Sequence, residues 1–266
     1  MERYRRGKGK RKLLGSHQRC WLWGRHLVLA TLEAGRWVPL ELHVAATLDA
    51  AALDHIRQLA AAQAAPLFIE PPDELTRLAH TAEHQGYLAQ MPEYPYADAS
   101  ILAAASAGRA ALFLMLDGLQ DPFNFGAIVR SAEALGAAAV IIGTAGQVGV
   151  TGMVARSSAG AVSRLPIVRC ADLAAAAVQL RAAGVAVVGA SEKAATPLPA
   201  HDFRQPTCVV IGNEGHGIGA ALLAECTCML GIPQPGQIGA LNAAAAAAIF
   251  CYEAQRQRAG AWGRPA

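Results

Sequence analysis

An α/β protein in two parts is predicted by three features of the sequence. From about Ala110 onward, short apolar runs alternate with helical segments, the pattern of a mostly parallel sheet covered on both faces. Between Cys20 and Met91 a shorter alternation of the same kind marks a small separate α/β unit. Between the two, PEYPYADASILAAASAG breaks the periodicity with proline and tyrosine turns followed by small residues. The resulting division is a basic tail over 1–19, a first unit over 20–91, a linker over 92–108 and a second unit over 109–266.

In the first unit, WGRHLVLATLEAG carries Val28, Leu29 and Leu32 at helical spacing and stops naturally at Gly35. PLELHVAA reads as a strand, Asp49 to Ala64 as an alanine-rich helix, PLFIE as a strand and DELTRLAHTAEH as a helix. In the second unit the strand candidates are ALFLML, AAVIIG, RLPIVR, VAVVGA, TCVVIG and CMLGIP, with helices between most of them. The alanine runs AAAAAAIF and DLAAAAVQLRAAG are compositional, and no internal duplication is visible.

With 266 residues, 53% of them hydrophobic, the chain has enough apolar surface for one large core or two modest ones. No long apolar run avoids charge, and the basic opening MERYRRGKGKRK leads into LLGSHQR, which fits neither a membrane span nor a secretory signal. A cytoplasmic location is the expectation. Cys20, Cys170, Cys208, Cys226, Cys228 and Cys251 form no CxxC pair and have no histidines at zinc-finger spacing, so reduced, mostly buried thiols and no metal site are expected. Residues 1–12 hold seven Lys/Arg and one acid, leaving 16 basic and 19 acidic residues in the rest. Such a tail is either a solvated, unpacked segment or an arm that releases counterions from RNA or DNA.

Three motifs carry the chemistry. In DPFNFGAIVRSAEALGA, residues 121–137, Asp121-Pro122 makes a turn, Asn124 stands where a helix N-cap is wanted, and Phe125, Ile128, Val129, Ala132 and Leu135 share one face. Arg130 projects from the other side, with Gly126 and Ala127 one turn back leaving its approach clear. It is either a solvated arginine or one held over a phosphate or a reacting oxygen. In VVIGNEGHGIG, residues 209–219, a buried strand ends in a glycine loop carrying Glu214. As a nucleotide loop it lacks the ordinary dinucleotide spacing, and His216 reads as a turn residue rather than a general base. In LGIPQPGQIGALNAAAAAAIFCYEAQRQR a strand enters a Pro-Gly loop and Asn242 opens a long alanine-rich helix.

Together and in this order, NFGAIVRSAEALGA, IGNEGHGI and IPQPGQIGALN closely resemble the three motifs of the SpoU class of SPOUT RNA ribose 2′-O-methyltransferases. GRHLVLATLEAG, ELHVA and HQGYLAQ resemble the ribosomal-protein-like substrate-binding domain of members that modify large-subunit ribosomal RNA. The resemblance implies a C-terminal α/β domain closed by a deep trefoil knot, an exception to the unknotted rule, acting as a homodimer on RNA with S-adenosyl-L-methionine as cofactor. It places Gly212, Ile232 and Leu241 on the cofactor, chiefly through backbone groups, and Asn124, Arg130, Glu214 and Asn242 in a catalytic cluster. The arginine is expected at a site shared with the partner subunit, Asn124 and Glu214 are expected to fix its pose, and water or phosphate is expected to take the proton.

One departure stands out. Where the family usually has Ser-Leu-Asn, this chain has Ala240-Leu241-Asn242. The lost hydroxyl, with the basic tail, admits a non-catalytic RNA-binding homologue as one alternative; transfer RNA as substrate is a separate one, against which the first unit argues. The retained Asn, Arg and Glu favour an active enzyme, and the resemblance of the first unit favours ribosomal RNA as its substrate.

Overall fold

The computed structural model describes residues 20–106, 111–236 and 239–259; the basic tail lies outside them. The first unit runs β1 (Cys20–Trp23), α1 (Arg25–Ala34), β2 (Glu41–Ala45), α2 (Ala50–Ala62), β3 (Leu67–Glu70), α3 (Pro72–Ala79) and β4 (Tyr87–Met91). Its sheet has the order β1-β4-β2-β3, with β2 and β3 parallel and the other pairs antiparallel. Gly35 ends α1 in the left-handed region at φ 65°. Asp49 caps α2, its carboxylate accepting from the Ala52 amide at 2.8 Å. The third helix is shorter than its sequence pattern, because His80 turns left-handed at φ 55° and stops it at Ala79 rather than near His84. Two strands, β1 and β4, escaped the periodicity; β4 is buried at every position and shows no alternation.

The second unit runs α4 (Ser100–Ser106), β5 (Leu112–Leu116), α5 (Pro122–Ala134), β6 (Ala139–Gly143), α6 (Gly152–Ser157), β7 (Ile167–Cys170), α7 (Leu173–Ala182), β8 (Ala186–Ala190), β9 (Thr196–Pro197), β10 (Thr207–Ile211), α8 (Ala220–Ala224), β11 (Cys228–Gly231) and α9 (Ala243–Arg258). The strand order is β7-β6-β5-β10-β8-β11-β9 and every pairing is parallel, not merely most of them. Alternation along β5 explains the two-faced core. Leu112, Leu114 and Leu116 join Phe125, Ile128 and Val129 of α5 and Phe250 of α9, while Phe113 and Met115 join Ala177 and Leu180 of α7 and Leu222 of α8. Phe125, Ile128 and Val129 are fully buried, each worth roughly 1.5–3 kcal/mol, which fixes the rotation of α5 about its axis. Because β10 inserts between β5 and β8, the loop after β10 lies beside the one that leads into α5.

The two units share a packed seam. Ser163 donates its hydroxyl to Thr31 at 3.1 Å, and Tyr94 donates to the Val162 carbonyl at 2.7 Å. Arg156 lies 4.7 Å over the Trp23 ring and bonds Glu83 at 2.8 Å. Within the described part of the stretch 92–108, Tyr94 is buried edge-on to Trp37, and Ala97 bridges Val168 beside the second sheet. The five described cysteines are free, with Cys208 and Cys251 buried and the other three half-buried. Burial pushes the Cys226 thiol up to about 11 and Cys251 up to about 12.

Candidate active site

Asn124 is not the cap of its helix. That position belongs to Asp121, whose carboxylate accepts from the amides of Phe123 at 3.0 Å and Asn124 at 3.3 Å, with Pro122 in the first turn where its missing N–H costs nothing. The side chain of Asn124 is thereby released from local capping. It donates Nδ2 to Glu214 Oε1 at 2.7 Å and accepts, on Oδ1, from Asn242 Nδ2 at 3.0 Å. Asn242 in turn caps α9, its Oδ1 accepting from the amides of Ala244 at 2.9 Å and Ala245 at 3.3 Å.

The polarity of this chain is dictated at both ends. An ionised carboxylate only accepts, so Asn124 must present its NH2 to Glu214; helix N-termini only donate, so Asn242 must present its oxygen to α9. Both constraints leave one way to orient the two amides, and the three side chains form a single directed relay.

Glu214 is held by the folding of its own loop. Asn213 and Gly217 exchange backbone bonds at 3.0 and 2.8 Å, closing a tight loop with Glu214, Gly215 and His216 at its tip. Gly217 has φ 70°, and a side chain on Gly212 would run into the backbone of Gly217 and Ile218, the latter at 2.5 Å. Two further residues, overlooked in the sequence, latch this loop to the end of β5. Asn213 donates to the Gly118 carbonyl at 2.6 Å and accepts from the Gly215 amide at 2.7 Å, while Asp117 accepts from the Gly219 amide at 2.7 Å. The available signal was Asp117 standing directly after an apolar strand, where a polar side chain has neighbouring loops to bind. His216 is exposed and engages the loop through its backbone amide.

The carboxyl ends of three adjacent strands, β10, β8 and β11, open into a cavity of about 320 Å3 whose remaining wall is the start of α9. Gly212, Ile232 and Leu241 all line it, and so do Glu214 and Asn242. Ligands of parallel α/β sheets gather at this end of the strands. Among the described lining residues the ionisable ones are Glu192 and Glu214, and none is basic. Among the described residues no group of three His, Cys, Asp or Glu could hold a metal ion, and no helix is long and apolar enough to cross a membrane.

Arg130 is not part of the relay within one chain. It lies six residues beyond Asn124, about 9 Å along the helix and about 120° around it, exposed and without a hydrogen bond or ion pair among the described residues. Asn124 and Glu214 therefore do not fix its pose; they bind each other. Gly126 does not serve its approach either. A Cβ there would collide with Ser157 Oγ and come within 2.8 Å of Ser157 Cβ and the Val154 carbonyl, so this glycine exists to let α6 press against α5. Arg130 shares its face of α5 with Phe123, seven residues earlier and 59% exposed, and α5 packs on α9, which exposes Tyr252.

Two family profiles match separate parts of the chain. Residues 111–252 match the profile of the SpoU rRNA Methylase family, and residues 21–97 match the profile described as RNA 2′-O ribose methyltransferase substrate binding. YacO of Bacillus subtilis, assigned to the TrmH family of tRNA/rRNA methyltransferases, is 33% identical over 91% of this chain and 98% of its own. An uncharacterized tRNA/rRNA methyltransferase of Mycolicibacterium vanbaalenii is 37% identical over 90% of this chain and 76% of its own. Among solved structures, the SpoU methyltransferase AviRb from Streptomyces viridochromogenes, in complex with the cofactor AdoMet, superposes with a TM-score of 0.76 at 28% identity, covering 91% of this chain and 92% of that one.

Proposed function

The chain belongs to the SpoU rRNA Methylase family and is an RNA methyltransferase, and from that premise we propose that it methylates a ribose 2′-hydroxyl of ribosomal RNA with S-adenosyl-L-methionine. The observation that carries this reading is the relay Glu214–Asn124–Asn242 on the rim of a cavity that Gly212, Ile232 and Leu241 line. The cavity fits the cofactor chemically. Glycine and strand-end backbone allow close approach, Ile232 and Leu241 offer apolar surface for an adenine, and the acid-only ionisable lining suits a ligand bearing a sulfonium. Substrate-binding similarity over residues 21–97 supports RNA as the partner, and its seam with Arg156, Val162 and Ser163 holds that unit against the second one.

The bound cofactor supplies the methyl group and its own leaving group, so the protein is left with alignment and charge. The relay fixes three side chains at the site without local freedom, the precondition for holding a hydroxyl in line with the donor. Glu214 keeps its second oxygen, Oε2, outside the Asn124 bond, available to a ribose hydroxyl. Arg130 binds a backbone phosphate and stabilises negative charge developing on the attacking oxygen; its guanidinium is too basic to act as the proton acceptor. Water or phosphate takes the proton.

Arg130 performs this role in a homodimer, at the partner's relay. Phe123 and Arg130, exposed on α5 with the half-buried Ala127 between them, and Ala245 and Tyr252, exposed on α9, offer a face suited to helix packing against a second copy. Membership of the family supports a trefoil knot closed by the loops that carry Gly212 and Ile232.

The test is methyl transfer from labelled S-adenosylmethionine to protein-free large-subunit ribosomal RNA, with transfer RNA and Arg130→Ala run in parallel, and nuclease digestion to locate the label. Arginine-dependent label on ribose of ribosomal RNA is expected. Label confined to transfer RNA, or on a base, would overturn the assignment. No label, with no cofactor binding, would leave an RNA-binding homologue.

A further inference from the structure

Glu192 stands directly beyond β8, in a turn closed by a bond from the Ala194 amide to the Ser191 carbonyl at 3.3 Å. Its exposed side chain lines the cavity of about 320 Å3 and also an adjoining one of about 430 Å3 bordered by Pro197 and Gln234. Among the described residues, no hydrogen bond or ion pair occupies its carboxylate. Glu214, the other acid of the cavity, is by contrast engaged by Asn124.

An exposed turn glutamate is ordinarily just solvated. Two features set this one apart. It lies at the carboxyl end of the strand next to β10, whose own end carries Gly212, and it faces the cavity from there. In dinucleotide-binding doubly wound folds an acid beyond the glycine loop hydrogen-bonds a ribose hydroxyl of the nucleoside; Glu192 offers the same chemical group from the strand end beside β10. The chemistry is general: two carboxylate oxygens accept from two vicinal hydroxyls that only a ribonucleoside presents together.

We infer that Glu192 holds the vicinal ribose hydroxyls of the cofactor's adenosine half and makes the site specific for a ribonucleoside donor. The inference rests on the cofactor proposed above. It assigns to Glu192 a task different from that of Glu214, which is committed to the relay at the reacting end of the cavity.

The experiment is calorimetric titration of the full chain and of Glu192→Ala and Glu192→Gln. The ligands are S-adenosylmethionine, S-adenosylhomocysteine, 5′-methylthioadenosine and 2′-deoxy-5′-methylthioadenosine. The expected result is that Glu192→Ala weakens the three diol-bearing ligands alike, by tenfold or more, and the deoxy ligand, which keeps its 3′-hydroxyl, about tenfold less. The wild-type preference for 5′-methylthioadenosine over its deoxy form, about tenfold, then disappears. Glu192→Gln, which keeps one acceptor oxygen, falls between. Unchanged affinities would overturn the inference, as would a loss confined to S-adenosylmethionine, the one ligand with net positive charge, since that would mean Glu192 reads charge. If the wild-type chain binds none of the four, the cofactor reading fails and takes the inference with it, an outcome distinct from a wild type that binds and a variant that binds equally.

Discussion

Asn124 and Glu214, 90 residues apart in sequence, meet at 2.7 Å. The contact joins the first turn of α5 to the loop after β10, so the N-terminal end of one helix and the end of the central strand share a polar bond. Asn124→Asp removes the donor and sets two carboxylates against each other in that contact, a repulsion that protonation relieves. We expect a loss of about 1–3 kcal/mol of stability, the cost of an unmatched polar group, and a fall in methyl transfer that partly recovers as the pH is lowered. Thermal unfolding and pH-dependent labelling check the two halves of this prediction.

On the function proposed above, Arg130→Ala and Asn124→Ala are each expected to inactivate the enzyme, for different reasons. If Arg130 acts at the partner's relay, equal mixing of the two inactive variants after joint refolding restores about a quarter of the wild-type sites, because half the dimers are mixed and one of their two sites is intact. If each chain uses its own arginine, the mixture stays inactive. Steady-state labelling distinguishes the two.

Gly126→Ala sets two effects against each other. Replacing glycine inside a helix ordinarily gains up to about 1 kcal/mol from propensity. Here the new methyl meets Ser157 and the Val154 carbonyl with both flanking atoms at 2.8 Å or closer, and overpacking of that kind costs about 1–3 kcal/mol. The clash wins, so a lower melting temperature is expected, with Ser157→Gly giving partial recovery. A more stable Gly126→Ala variant would show that α6 yields easily.

Glu253 provides a pH test. The Arg256 guanidinium, which bonds it through two atoms at 2.7 and 2.8 Å, holds its carboxyl below the ordinary value of 4.5; burial opposes this and Gln257 assists it. A carboxyl lowered in the folded state stabilises the fold above about pH 4.5, and that contribution is lost as the pH falls through the lowered value. Glu253→Gln should melt below wild type at neutral pH, with the gap closing under acid conditions. A constant gap from pH 7 to pH 3 would refute this.

The parts of this molecule legible in its sequence are those governed by periodicity. Phe125, Ile128 and Val129 announced the buried face of α5, and the apolar runs of the second unit marked six of its seven strands. The seventh, β9, is two residues long and contains Pro197, too little for any pattern. Asn124 was misplaced because Asp and Asn cap helices equally well, and the choice depends on which residue's backbone is extended; at φ −80° and ψ 117° it is Asp121. Gly126 was misread for a deeper reason. A glycine shows that something comes close, but only the fold says from which side, and here it was α6 rather than a ligand of Arg130.

The relay also has a place in time. Its members belong to α5, to the loop after β10 and to the cap of α9, and α9 is made after every strand of the sheet. During synthesis the earlier elements can collapse around β5 and β6, yet neither the last wall of the cavity nor the Asn242 bond exists until α9 has emerged and docked. A nascent chain of this protein therefore has its first unit, the part similar to an RNA substrate-binding domain, complete well before the cavity and the relay close.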